Sequence, residues 1–359
     1  MVGWLVFIFA FIFFVLFSKD KFTKRYSKWY YLLFIVVFTG FRYRIGYDYD
    51  SYTRMFFKTN ELDLVEPTWH YLILIINIVT GNAQILFLIS SIFIYPLIFR
   101  FVYKNSPLPL LSIYIFICFQ YYFAESLSVL RQYIAVAIFL SSYKYILERN
   151  FKKFILLNII GFSFHYSAII AIPTYFFINK KFSNLLLIVV TIASFFFHTL
   201  LTFAIPQIEI MERYSTYLSG FELEANSGID RIVRIVILLC LIFSKKALDY
   251  ENNLSNRASF NLMFLGILIY TSLYIYAPFR RLSYYFMIFE IIIMAQIFFV
   301  YFMEKPFRLK AILFYLYIFF AALSFGKRWW PNKTDFSGTN THYEMKFVVD
   351  KPIPLKQTK

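Results

Sequence analysis

Apolar residues run along this chain in long blocks, at residues 2–17, 29–41, 83–103, 107–123, 126–147, 154–178, 184–204, 229–243, 258–276, 281–303 and 309–325. A helix that crosses a bilayer needs roughly 20 apolar residues and tolerates about 17, so several of these blocks are short spans. The block 68–80 is shorter still, either a span or a re-entrant segment. The pattern predicts an all-α polytopic membrane protein with about ten to twelve transmembrane helices. The longest polar stretches, 42–67, 205–230 and the tail 326–359, leave no room for a sizeable soluble domain. Residues 1–325 are therefore read as one transmembrane domain and 326–359 as an extended polar tail.

Composition agrees with that pattern. Of 359 residues, 60% are hydrophobic and 23% aromatic, more apolar surface than a soluble domain can hide. The net charge of +16 sits mainly in short loops beside the apolar blocks, which fits membrane orientation and not nucleic-acid binding. Cys118 and Cys240 both lie inside apolar blocks, so no disulfide framework or metal cluster follows from them. The start, MVGWLVFIFAFIFFVLF, lacks a basic leader and a small-residue cleavage site and reads as a retained first helix.

Lysine and arginine in short loops set orientation. KDKFTKRYSK, residues 19–28, places the first loop in the cytoplasm and residues 42–67 outside. Lys245, Lys246 and Arg257 mark a later inner loop, as do Lys305, Arg308 and Lys310. ERNFKK, residues 148–153, should also be inside, yet counting every block as a span puts it outside. A re-entrant 68–80 repairs that loop but demands a second break near residue 165, so the middle topology stays open. Residues 205–230, with Glu209, Glu212, Glu222 and Glu224, read as an outer lid or interfacial helix, or as a solvated connector.

Charged groups within helices are the sharpest chemical signal, because placing one at a helix centre costs about 2.5–3.5 kcal/mol. Arg131 lies between one and two turns into the block 126–147, with Glu125 and Gln132 nearby. His165 breaks the block 154–178 together with Ser163, Tyr166 and Ser167. Its imidazole can move a proton near neutral pH, which suits activation of a hydroxyl. Arg280 and Arg281 follow Pro278 and open another block, where two guanidiniums could grip a phosphate. Glu66, in EPTWH, is a candidate base or sugar ligand. FRYRIGYDYDSY, residues 41–52, gathers Arg42, Arg44, Asp48, Asp50 and four tyrosines at a membrane boundary, more than a spacer needs. Glycine-rich phosphate loops, HExxH, CxxC and GxSxG are all missing.

The ordered set FRYRIGYDYDSY, EPTWHYL, SVLRQYIAVAIFL and FSFHYSAII resembles the bacterial polysaccharide polymerases of the EpsG and Wzy type. The likeness covers residues 41 to about 170, and beyond that rests on hydropathy, RYSTY at 213–217 and the arginines after Pro278. It implies a glycosyltransferase of the bacterial inner membrane that polymerises undecaprenyl-diphosphate-linked oligosaccharide repeat units at the outer face. It also implies a chain-length regulator as partner. The chemistry is compatible: a diphosphate leaving group needs cations more than a proton donor. Arg131, Arg280 and Arg281, with Arg42 and Arg44, can supply them without metal or cofactor. His165, Asp48 and Glu66 are the candidate bases. Tyr47, Tyr52, Gln132 and Tyr214 are candidates for holding sugar rings and their hydroxyls. A lipid-linked oligosaccharide flippase or other transporter, or a polysaccharide acyltransferase, is the alternative; a transporter should show paired halves, and none is visible.

Overall fold

A computed structural model describes residues 21–58, 65–119, 122–204, 227–274, 277–300 and 346–347. The expected first helix 2–17, most of 205–230, the last block 309–325 and nearly all of the tail lie outside the described residues. The described chain is all-α, apart from a two-residue antiparallel pair joining β1 (Arg42–Tyr43) to β2 (Lys346–Phe347).

The helices follow the apolar blocks. They are α1 (Lys21–Gly40), α2 (Tyr49–Phe57), α3 (Pro67–Thr80), α4 (Ala83–Asn105), α5 (Pro109–Cys118), α6 (Phe123–Ser128), α7 (Leu130–Leu147) and α8 (Phe151–Phe164). A 3-10 stretch (Tyr166–Ala171) leads into α9 (Thr174–Phe177), then α10 (Asn184–Ala204), α11 (Ser227–Phe243) and α12 (Leu254–Ser272). Short pieces finish the described bundle: α13 (Ala277–Arg280), a 3-10 turn (Arg281–Ser283), α14 (Tyr284–Met287) and α15 (Glu290–Phe298). Local chemistry sets several boundaries. Asn82, Asn150 and Asn253 each accept a backbone N–H in the first turn of the helix they precede, satisfying a donor the helix cannot. Proline opens α3 and α5, where its missing N–H costs nothing.

Hydrogen bonds sort the loops into two ends of the bundle. At one end Arg42 donates to the Leu127 carbonyl (2.8 Å), Gln84 to Gly40 and Arg42 carbonyls, and the Tyr47 N–H to Ser128. At the other end Arg149 donates to the Tyr175 carbonyl, Arg257 to Asn179, Lys245 to Phe182, and the Tyr143 hydroxyl to Ser255. Lys28 lies over the Tyr103 ring at that same end. The second end is the basic one, and it includes ERNFKK.

These contacts bear on the open middle. Glu66 at the start of α3 contacts Arg131, while Gln84, four residues past its end, bonds the loop after α1. Both of its termini belong to the same end of the bundle. The block 154–178 is not one span. It breaks at His165, whose extended backbone (φ −158°) separates α8 from the 3-10 stretch. The two halves fold back as a hairpin, with Phe154 packed on Tyr175 and Phe151 on Phe176. With 68–80 held at one end and 154–178 doubled back, ERNFKK joins the other basic loops. The block 107–123 likewise stops at Cys118, and α6 follows as a separate short helix.

Two described helical stretches, Ala83–Asn105 and Arg281–Phe298, are long and apolar enough to cross a membrane. Around them α7 is almost wholly buried. Ile78, Val79, Leu185 and Phe243 stand more than 70% exposed on the periphery, a surface that hydrocarbon accepts and water does not. Gly266 lets α12 close on α14, for a Cβ there would collide with the Met287 nitrogen.

Candidate active site

Near the end where Arg42 packs lies a cavity of about 210 Å³, lined by four separate stretches of chain. Asp48 and Tyr52 come from α2 and its cap, Arg131 and Gln132 from the first turn of α7, His165 and Ser167 from the hairpin apex, and Arg281 from the 3-10 turn.

Glu66 ties two of these arms together from behind. It precedes Pro67 at the start of α3, yet its side chain makes no cap bond and reaches into the bundle. One carboxylate oxygen accepts from the Arg131 guanidinium. The other meets His165 Nδ1 at 2.5 Å and the Tyr166 N–H at 3.4 Å. Burial alone raises its pKa, but the hydrogen bond from His165 and the Arg131 charge outweigh that and hold the carboxyl at about 2. An ionised carboxylate accepts, so Nδ1 carries the proton and Nε2 is the ring nitrogen left for chemistry.

Asp48 sits under the opposite influence. Burial pushes its carboxyl above the usual range, and the nearby Arg281 and Arg131 charges only partly offset that. Tyr52 stands edge-on to Trp69, with ring centroids 5.4 Å apart, and its hydroxyl faces the Arg131 guanidinium. Gln132 lines the cavity and donates to the Arg281 carbonyl at 2.8 Å, while the Ser167 hydroxyl lies 3.0 Å from that of Tyr285.

The sequence candidates thus divide. Asp48, Tyr52, Arg131, Gln132, His165 and Arg281 meet at the cavity, with Glu66 in contact from behind. Arg42 does not line it. Its guanidinium is buried and donates to the carbonyls of Thr39, Ile45 and Leu127, over the Phe87 ring. Arg44, with a left-handed backbone (φ 50°), faces Asp50 on the surface at 3.6 Å. Tyr47 is half exposed, and its backbone N–H bonds Ser128. Arg280 turns away from its neighbour to the Tyr270 and Tyr274 rings, because successive helical positions point in different directions. Tyr214 lies outside the described residues.

Sequence reasoning passed over a buried network in the bundle interior. Arg234 of α11 donates to Glu290 of α15 at 2.6 Å, and the Tyr122 hydroxyl donates to the same carboxylate oxygen at 2.5 Å. The signal was available: both charges lie within apolar blocks, where an ionisable group needs a partner. Among the described residues no group of three or more His, Cys, Asp or Glu is placed to hold a metal ion. The cavity offers instead an oriented imidazole, a second carboxyl and two guanidiniums.

No curated protein and no solved structure matches the chain. The model of the EpsG family matches residues 31–343, and the chain belongs to that family, whose membership indicates a membrane protein of polysaccharide polymerisation.

Proposed function

We propose that this chain is a glycosyltransferase that joins undecaprenyl-diphosphate-linked oligosaccharide repeat units into O-antigen, capsule or exopolysaccharide at the outer face of the bacterial inner membrane. The observation that carries the reading is Glu66 bridging Arg131 and His165, residues from three separate segments, at the edge of one cavity.

The chemistry follows from those groups. An acceptor hydroxyl attacks the anomeric carbon of the donor sugar, and the bond from that carbon to the diphosphate oxygen breaks. The electron pair leaves on the diphosphate, where Arg281 and Arg131 stabilise it. The hydroxyl proton passes to His165 Nε2, whose ring Glu66 orients from the far side. Asp48, Tyr52 and Gln132 offer polar partners to ring hydroxyls. Glu66, held at about 2, is a weak base and acts by holding the imidazole and guanidinium.

Orientation supports the outer face. The end opposite the cavity carries ERNFKK, Lys180, Lys181, Lys245, Lys246 and Arg257, and basic loops favour the cytoplasm. The reading adds a chain-length regulator as partner. The test is His165→Gln in cells, with membrane abundance and lipid-linked products measured together. Normal abundance with single repeat units exported and no long polymer supports the assignment. Long polymer at normal abundance overturns it, and units stranded on the inner leaflet favour a flippase.

A further inference from the structure

Arg281 is the cavity cation with the least regular support. It opens a 3-10 turn of three residues followed by a four-residue helix, where hydrogen bonds are poorer than in a long α-helix. Nothing in such short pieces fixes the direction of a long side chain. Two cross-links do. Gln132, next to Arg131, holds the Arg281 carbonyl from α7. Tyr285, one turn beyond Arg281 and so on the same helical face, reaches Ser167, two residues past His165. With the Glu66 bridge, three of the four arms of the cavity close into a ring: α7 to hairpin, α7 to the Arg281 turn, and hairpin to the Arg281 turn.

We infer that Ser167 and Tyr285 are positioning residues that hold Arg281 toward the diphosphate, so that the hairpin carrying the base also sets the cation. This rests on the polymerase reading for its substrate. Tyr285 is fully buried and packed beside Phe139, so Tyr285→Phe removes the hydroxyl and leaves the ring. A merely structural hydrogen bond affects abundance and melting temperature. A positioning one affects what Arg281 does.

A double-mutant cycle separates the two. Full-length protein in detergent is titrated with farnesyl diphosphate, using the native chain, Ser167→Ala, Tyr285→Phe, Arg281→Ala and the two doubles with Arg281→Ala. Each of the first two variants weakens binding about threefold to tenfold, the range of one hydrogen bond, and Ser167→Thr restores it. In the Arg281→Ala background neither causes further loss. Unchanged binding in the native background, or equal loss in both backgrounds, overturns the inference. Absent binding by the native chain overturns it together with the diphosphate assignment. Coupling on farnesyl diphosphate in a chain that makes no polymer from lipid-linked units overturns the polymerase reading and leaves this inference standing.

Discussion

Glu66 and His165 lie 99 positions apart in the chain and share a 2.5 Å contact. A buried carboxylate that touches both an imidazole and the Arg131 guanidinium neutralises one and orients the other. Replacing it with glutamine keeps the shape and removes the charge. Glu66→Gln is expected to reduce polymer formation about a hundredfold, within the usual contribution of an oriented general base. Polymer yield per unit of membrane protein checks it.

The same carboxyl gives a stability profile with a definite sign. A group held lower in the folded chain than in the unfolded one adds stability above about 4.5 and loses it as pH falls toward about 2. The melting temperature should therefore drop across that window in the native chain. Glu66→Gln should flatten the drop, and a profile of unchanged shape would count against the bridge.

Two arginines near the cavity end should fail in opposite ways. Arg42→Lys leaves carbonyls of Thr39, Ile45 and Leu127 short of donors, at about 1–3 kcal/mol for each one left unpaired. Reduced abundance and early melting are expected. Arg281→Ala should leave abundance near normal and abolish long polymer. Quantitative blotting beside polymer gels distinguishes them.

The interior pair predicts coupling of another kind. Removing either Arg234 or Glu290 strands a charge in a dry site, at about 3–5 kcal/mol. Arg234→Met combined with Glu290→Met should recover much of that loss, as read by thermal unfolding in detergent.

Labelling of single cysteines reads the topology. With Cys118 and Cys240 both changed to serine, an impermeant maleimide applied outside should modify Thr80→Cys and spare Lys152→Cys. The reverse pattern would place the cavity on the cytoplasmic side.

Hydropathy made the helical class and most helix positions legible, because lipid rewards long apolar runs whatever they pack against. It could not reveal where a run stops crossing. The turn at His165 and the return of α3 to its own end depend on contacts between distant segments, and only the charge conflict at ERNFKK hinted at them. Within the site, residue types pointed to His165, Arg131 and Arg281. Arg42 and Arg280 looked equivalent to these in sequence, yet one is spent on main-chain carbonyls and the other on tyrosine rings. Side-chain direction separates such residues, and a one-dimensional pattern does not carry it.

Helix α8 holds 14 residues, a length of roughly 21 Å, against a hydrocarbon layer of roughly 30 Å. Thinning of the lipid sheet toward so short a wall is one way to accommodate the difference. On the polymerase reading, such thinning would bring head groups and water to the level of the imidazole, where a long-tailed carrier would present its sugar while its tail stays dissolved in oil.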